Sequence, residues 1–156
     1  MELKRNQKQT INEVFMFTKK FWLTFILVFI VLEITDYLFY MGLMGPIFQD
    51  PEVQKAFRSM EEIQSKMWVG YLMDLVWSFF FTFIFVKGYE NKGIMEGVRF
   101  GIYIGLFYKM VVSYQSYVFY PIPYKVVLPS FLLGMVQVII LGIIAALIYK
   151  PKTTKE

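Results

Sequence analysis

Four stretches of this sequence, at roughly 21–41, 67–87, 97–119 and 126–149, are predominantly apolar over about 20 residues each, the length a helix needs to cross a bilayer. A chain of 156 residues with 57% hydrophobic and 20% aromatic side chains could not hide them in water, because a small globule leaves much of its surface exposed. In lipid the backbone must satisfy its own hydrogen bonds, which a helix does. The expected fold is therefore an all-α membrane protein. It is an antiparallel bundle of four transmembrane helices over 21–149, with a basic N-terminal segment at 1–20 and a short tail at 150–156.

The first span follows a basic head, as a secretory signal does. It is longer than a signal core, carries Glu33 and Asp36 and has no small-x-small cleavage site, so it is read as retained. Orientation follows from the cations flanking the spans. Lys4, Arg5, Lys8, Lys19, Lys20, Lys87, Lys92, Arg99, Lys150, Lys152 and Lys155 belong to one side, and only Lys55, Arg58, Lys66 and Lys125 to the other. Eleven against four places both termini in the cytoplasm. The same asymmetry accounts for the net charge of +4, so no nucleic-acid partner is expected. Trp22, Tyr40, Trp68, Tyr71, Tyr120, Tyr124 and Tyr149 fall near the span ends, where aromatic belts form.

There is no cysteine and no histidine. Disulfides, iron–sulfur clusters, thiolate zinc sites, ordinary haem ligation and cysteine nucleophiles are thereby excluded. No nucleophile–base pair or metal motif stands out, so neither an enzyme nor a metal site nor a cofactor is expected.

Gly42, Gly45 and Pro46 end the first span, and Asp50-Pro51-Glu52 reads as a helix start with an acidic cap and a first-turn proline. Val53, Phe57, Met60, Ile63 and Met67 then recur at helical spacing among charged residues. The pattern predicts an outer amphipathic helix over 51–66 between the first two spans, either anchored at the interface, closing over a cavity or docking a partner. The turn from Lys87 to Gly93 makes its flanking spans antiparallel neighbours. In it Gly88 is expected at positive φ, and the glycines could offer backbone N–H groups to an anion.

Polar groups inside the spans are costly and therefore informative. At a rise of ~1.5 Å per residue, Glu33 and Asp36 lie roughly 3 and 8 Å beyond the middle of the first span, and Asp74 roughly 5 Å beyond that of the second. Lys109 is within about 2 Å of the third midpoint, and Gln137 is close to the fourth. Each span thus brings a strongly polar group to one level. Asp74, Ser78 and Thr82 form one i+4 row. Gly97, Gly101, Gly105, Lys109 and Ser113 form another, whose glycines permit close helix packing and would turn Lys109 inward. Ser130, Gly134 and Gln137 share a face of the last span.

Three acids facing one lysine cannot all be ionised cheaply at low dielectric. At least one, most simply of the neighbours Glu33 and Asp36, is expected to hold a proton unless water or a cation compensates. Glu33, Asp36, Asp74, Lys109, Gln137 and Ser113 are accordingly the candidate proton- or ion-binding residues. Two readings stand. The cluster serves a proton- or cation-linked transporter or channel component, with or without a small organic solute. Alternatively it is interhelical glue, a Lys109–Asp74 pair with Gln137 and the serines, in a non-catalytic accessory or assembly subunit. The expected partners are the lipid bilayer and either further copies of the chain or another membrane protein.

The stretch from Lys87 to Gly101, together with Pro121-Ile-Pro-Tyr124, resembles small four-helix bacterial membrane proteins without an assigned activity. The resemblance implies a bacterial inner-membrane location and assigns no residue a role. In logic the chain is also similar to small multidrug-resistance transporters, which place a glutamate among aromatics within the membrane. It is longer than they are, it has several acids, and a lysine offsets part of the charge.

Overall fold

A computed structural model describes residues 17–149, so the basic head up to residue 16 and the tail from residue 150 lie outside the described residues. Every regular element within them is helical. Helix α1 (Lys19–Asp36) runs on without a break into a π-helical segment, Tyr37–Leu43. Two single-turn helices follow, α2 (Gly45–Phe48) and α3 (Pro51–Gln54), and then the long α4 (Met60–Lys87). Helix α5 (Ile94–Ile104), a second π-helical segment (Gly105–Met110) and α6 (Val111–Phe119) form one rod, and α7 (Tyr124–Ile148) completes the chain.

Three helices, Lys19–Leu43, Met60–Lys87 and Tyr124–Ile148, are long and apolar enough to cross a membrane, which points to a membrane protein. The rod over 94–119 is long enough too. However, Glu96, Arg99, Lys109, Gln115 and its tyrosines and serines dilute its apolar character.

The helix ends follow from local chemistry. Thr18 accepts from the Phe21 N–H at 3.3 Å and starts α1, and Ser59 accepts from the Glu62 N–H at 3.3 Å and starts α4. Glu61 and Glu62 suit the positive end of the α4 dipole, and Lys87 suits its negative end. Asp50 caps α3 by accepting from the Glu52 N–H at 2.8 Å, with Pro51 next to it, as its sequence position implies.

The outer amphipathic helix expected over 51–66 does not form as one element. After a single turn the chain leaves helical geometry at 55–59, and Ser59 begins α4, into which residues 60–66 are absorbed. Two strong caps, at Asp50 and Ser59, divide a pattern that periodicity alone had joined.

The turn after α4 also departs from expectation. Gly88 has φ −95°, and the positive-φ positions are Asn91 (60°) and Gly93 (76°). The Glu96 carboxylate, reaching back from the first turn of α5, accepts from the N–H groups of Glu90 (2.5 Å) and Lys92 (2.7 Å). The turn does present backbone donors to an anion. That anion is the chain's own, buried, Glu96.

The main core joins Phe21, Val28 and Leu32 of α1 to Phe81, Phe85 and Val86 of α4 and to Val138, Leu141, Ala145 and Ala146 of α7. Phe100 of α5 closes onto Phe81 and Phe85 with ring centroids 4.9 and 5.2 Å apart. A smaller cluster of Met44, Val53 and Val126 holds the opposite end together. There Lys125 pairs with Asp50 at 2.7 Å and with Glu52 at 2.8 Å, tying the connection after α1 to the start of α7.

The closest helix contact is between α5 and α7, through glycine. A Cβ on Gly97 would collide with the Gly142 carbonyl, one on Gly101 would lie 2.5 Å from Ile139 Cα, and one on Gly105 would collide with Met135 Sδ. The ridge thus packs as its spacing implies. By contrast, the first half of α4 stands away from its neighbours, with every residue from Gln64 to Met73 exposed.

Candidate functional site

Where α4 diverges, a cavity of about 430 Å³ opens. Asp36 of α1, Asp74 of α4 and Lys109 of the second π segment line it, together with Trp77, Phe80 and Tyr108. The glycine ridge explains how Lys109 arrives here. With α5 seated on α7, the lysine stem crosses Gly134, where a Cβ would lie 2.9 Å from Lys109 Cδ. A side chain at 134 would make the lysine stem shift from this path.

Both π-helical segments border the site. Asp36 is the last residue before the first segment, and Tyr108 and Lys109 lie inside the second. A π turn rotates the residues beyond it relative to an α-helix, and such turns are frequent at functional sites. Spacing arguments based on a 3.6-residue repeat cannot anticipate that rotation.

Gln137 is the hub. It is 1% exposed, and its amide nitrogen donates to Asp36 Oδ1 at 2.8 Å and to Thr35 Oγ1 at 2.9 Å. Its amide oxygen accepts from Lys109 Nζ at 3.0 Å. A neutral amide therefore stands between the lysine and the aspartate. Among the described residues neither Asp36 nor Asp74 comes within ion-pair distance of Lys109, although both act on it electrostatically. The direct Lys109–Asp74 pair suggested by helix faces is absent. Thr35 completes the arrangement by donating back to the Val31 and Leu32 carbonyls at 2.8 and 2.9 Å.

The remaining sequence candidates are placed differently. Glu33 does not line the cavity. Its Oε1 is buried without a hydrogen-bond partner, and its carboxylate lies within electrostatic reach of Asp74 and then of Asp36. Ser113, one turn beyond Lys109, is half-buried and is not part of the lining. Ser78 and Thr82 continue the Asp74 row into the core, both fully buried and with unpartnered hydroxyl oxygens.

Sequence reasoning passes over Thr35 and Tyr108, and reads Trp77 as a lipid-facing or core residue, whereas it lines the cavity. Thr35 precedes Asp36 and was visible as a polar residue deep in a span. Trp77 and Tyr108, among 31 aromatic residues (17 Phe, 11 Tyr and 3 Trp), carried no distinguishing signal. No group of three or more acidic side chains that could hold a metal ion occurs among the described residues. The arrangement is suited to a proton or a single cation: two carboxylates from different helices, a tethered ammonium and aromatic walls. Compared with protein families, with curated proteins and with solved structures, the chain finds no match.

Proposed function

We propose that the protein crosses a bacterial inner membrane four times, with the 94–119 rod as the fourth membrane helix and both termini in the cytoplasm. In this reading it is a transporter or channel component for a proton or small cation, which passes through the cavity between Asp36 and Asp74. One observation carries the reading: two carboxylates and a lysine line one cavity, while the lysine is held by Gln137 and not by either acid. Were the acids there only to neutralise Lys109, direct pairing would be the cheaper arrangement in lipid. Held apart, Asp36 and Asp74 are available to a mobile charge. With both ionised and Lys109 charged, the lining carries one net negative charge, which a single proton or monovalent cation would balance.

The accessory-subunit reading draws support from the same hub. Gln137 joins α1, α7 and the Lys109 rod, and polar contacts of this kind hold membrane helices together. Carbodiimide labelling in proteoliposomes separates the two, because a carbodiimide modifies protonated carboxyls in apolar surroundings. Under the transport reading Asp36 or Asp74 is modified, and raising either the pH or the concentration of the transported cation slows the reaction. Inertness of both residues under all conditions would reject it.

A further inference from the structure

Among the described residues, three buried oxygens have no hydrogen-bond partner: Ser78 Oγ, Thr82 Oγ1 and Glu33 Oε1. Leaving a buried donor or acceptor unpaired is costly, and native structures almost always satisfy such groups with protein or with ordered water. A Ser or Thr on a helix has an easy remedy, a bond to the carbonyl one turn back. Thr24 of α1 does this, donating to Lys20 O at 2.7 Å. Ser78 and Thr82 do not, although each is 0% exposed.

Their placement is not scattered. Asp74, Ser78 and Thr82 are successive i+4 positions on α4, so they form one row, whose first member lines the cavity. The row leads from the cavity toward the Lys87 end of the helix. Successive members are separated by ~6 Å along the axis. One water between two hydroxyls, with hydrogen bonds of about 2.8 Å on each side, spans such a gap. Glu33, on the helix packed against α4 and electrostatically coupled to Asp74, adds a fourth oxygen near the start of the row.

We infer that Asp74, Ser78 and Thr82 form a hydrated track along the core face of α4, a chain of water sites that extends the cavity toward the opposite membrane face. Cavity and track then make up a single polar route. The inference rests on the transport reading only for what moves along the track. The hydration itself is a separate claim.

The absence of cysteine from the sequence makes that claim directly testable. The cysteine thiolate attacks the methanethiosulfonate sulfur, forming a mixed disulfide and releasing methanesulfinate, and burial in dry apolar surroundings suppresses thiolate formation, about tenfold for each unit by which the thiol pKa rises. Single variants Ser78→Cys and Thr82→Cys are reconstituted in vesicles and exposed to 2-aminoethyl methanethiosulfonate. Val28→Cys in the core and Leu132→Cys on the exposed face of α7 serve as dry controls. Both track positions are expected to react at least about tenfold faster than either control. Equal, slow rates at all four positions would overturn the track. Reaction at Ser78→Cys without Thr82→Cys would also overturn it, because the water would then stop short.

Two further variants guard against a folding artefact. Ser78→Ala and Thr82→Val each remove a hydroxyl that anchors the water while leaving the apolar packing in place, so under the transport reading they are expected to fold and to lower cation or proton flux, and Thr82→Ser is expected to keep it. Undiminished flux in folded Ser78→Ala and Thr82→Val, where the wild type conducts, would overturn the track as the route of the moving charge. Labelled cysteines in a protein whose wild type conducts nothing would leave the track standing and reject transport instead.

Discussion

A methyl group added at Gly101 would lie 2.5 Å from Ile139 Cα and 2.8 Å from the Val138 carbonyl, both backbone atoms that cannot rotate away. Gly101→Ala is therefore expected to force α5 off α7 and to destabilise the protein by about 1–3 kcal/mol, the usual penalty of overpacking. Gly70→Ala supplies the contrast: nothing lies within 4 Å of that position, so the helix should gain by up to about 1 kcal/mol. Thermal unfolding of both variants in the same detergent checks the pair. Gln137→Leu tests the hub. It leaves Lys109 and Asp36 without their shared amide, and a loss of about 1–3 kcal/mol is expected. The glycine ridge was legible in the sequence because small residues at i+4 can be read along a single helix. The hub was legible only as a depth. Gln137 was visible as a polar residue in mid-span, whereas its partners depend on how three helices are rotated about one another. For the same reason the sequence suggested a Lys109–Asp74 pair, and the structure puts an amide beside the lysine instead.

At the scale of elements, what single-helix periodicity could not convey was interruption. The pattern over 51–66 was amphipathic enough to read as one helix, and the caps at Asp50 and Ser59 cut it in two. The π segments beside Asp36 and around Lys109 leave no trace in residue spacing. The glycines of the turn after α4 suggested N–H donors for an outside anion, whereas the donors are Glu90 and Lys92 and the chain's own Glu96 occupies them. Glu96→Ala is expected to release the N–H groups of Glu90 and Lys92, and hydrogen exchange at those two amides should accelerate while the core of α7 stays protected. At the other end, the hydrogen bond from Lys125, with the Glu52 N–H, holds the Asp50 carboxyl below its ordinary value of 3.8. Since the folded-state value is the lower one, the stabilising pair is fully present above the ordinary aspartate range and is lost as the pH falls through the depressed value. An NMR titration of Asp50 should show its midpoint below 3.8, and Lys125→Gln should move it upward.

For the molecule as a whole, hydropathy conveyed an all-helical chain with apolar helices long enough to cross a membrane, and three of the four expected stretches have that character. The 94–119 rod, expected from the sequence as a further span, is not among them, and it is the one that brings Lys109 and Tyr108 to the cavity. A helix that carries such polar groups is less apolar than its neighbours for that reason. The first half of α4 leans away from the other helices, and beside it lies the space that Asp36, Asp74 and Lys109 share. The account therefore stands on whether that space passes charge. The direct measurement is proton or monovalent-cation flux in proteoliposomes containing purified wild type, Asp74→Asn, or the double variant Asp36→Asn with Asp74→Asn, at matched protein content. The account predicts flux with wild type, and at least about a tenfold loss with Asp74→Asn, since a local cost of only ~1.4 kcal/mol already has that effect. It predicts none with the double variant. Wild-type vesicles as tight as protein-free ones, or undiminished flux in the double variant, would contradict it.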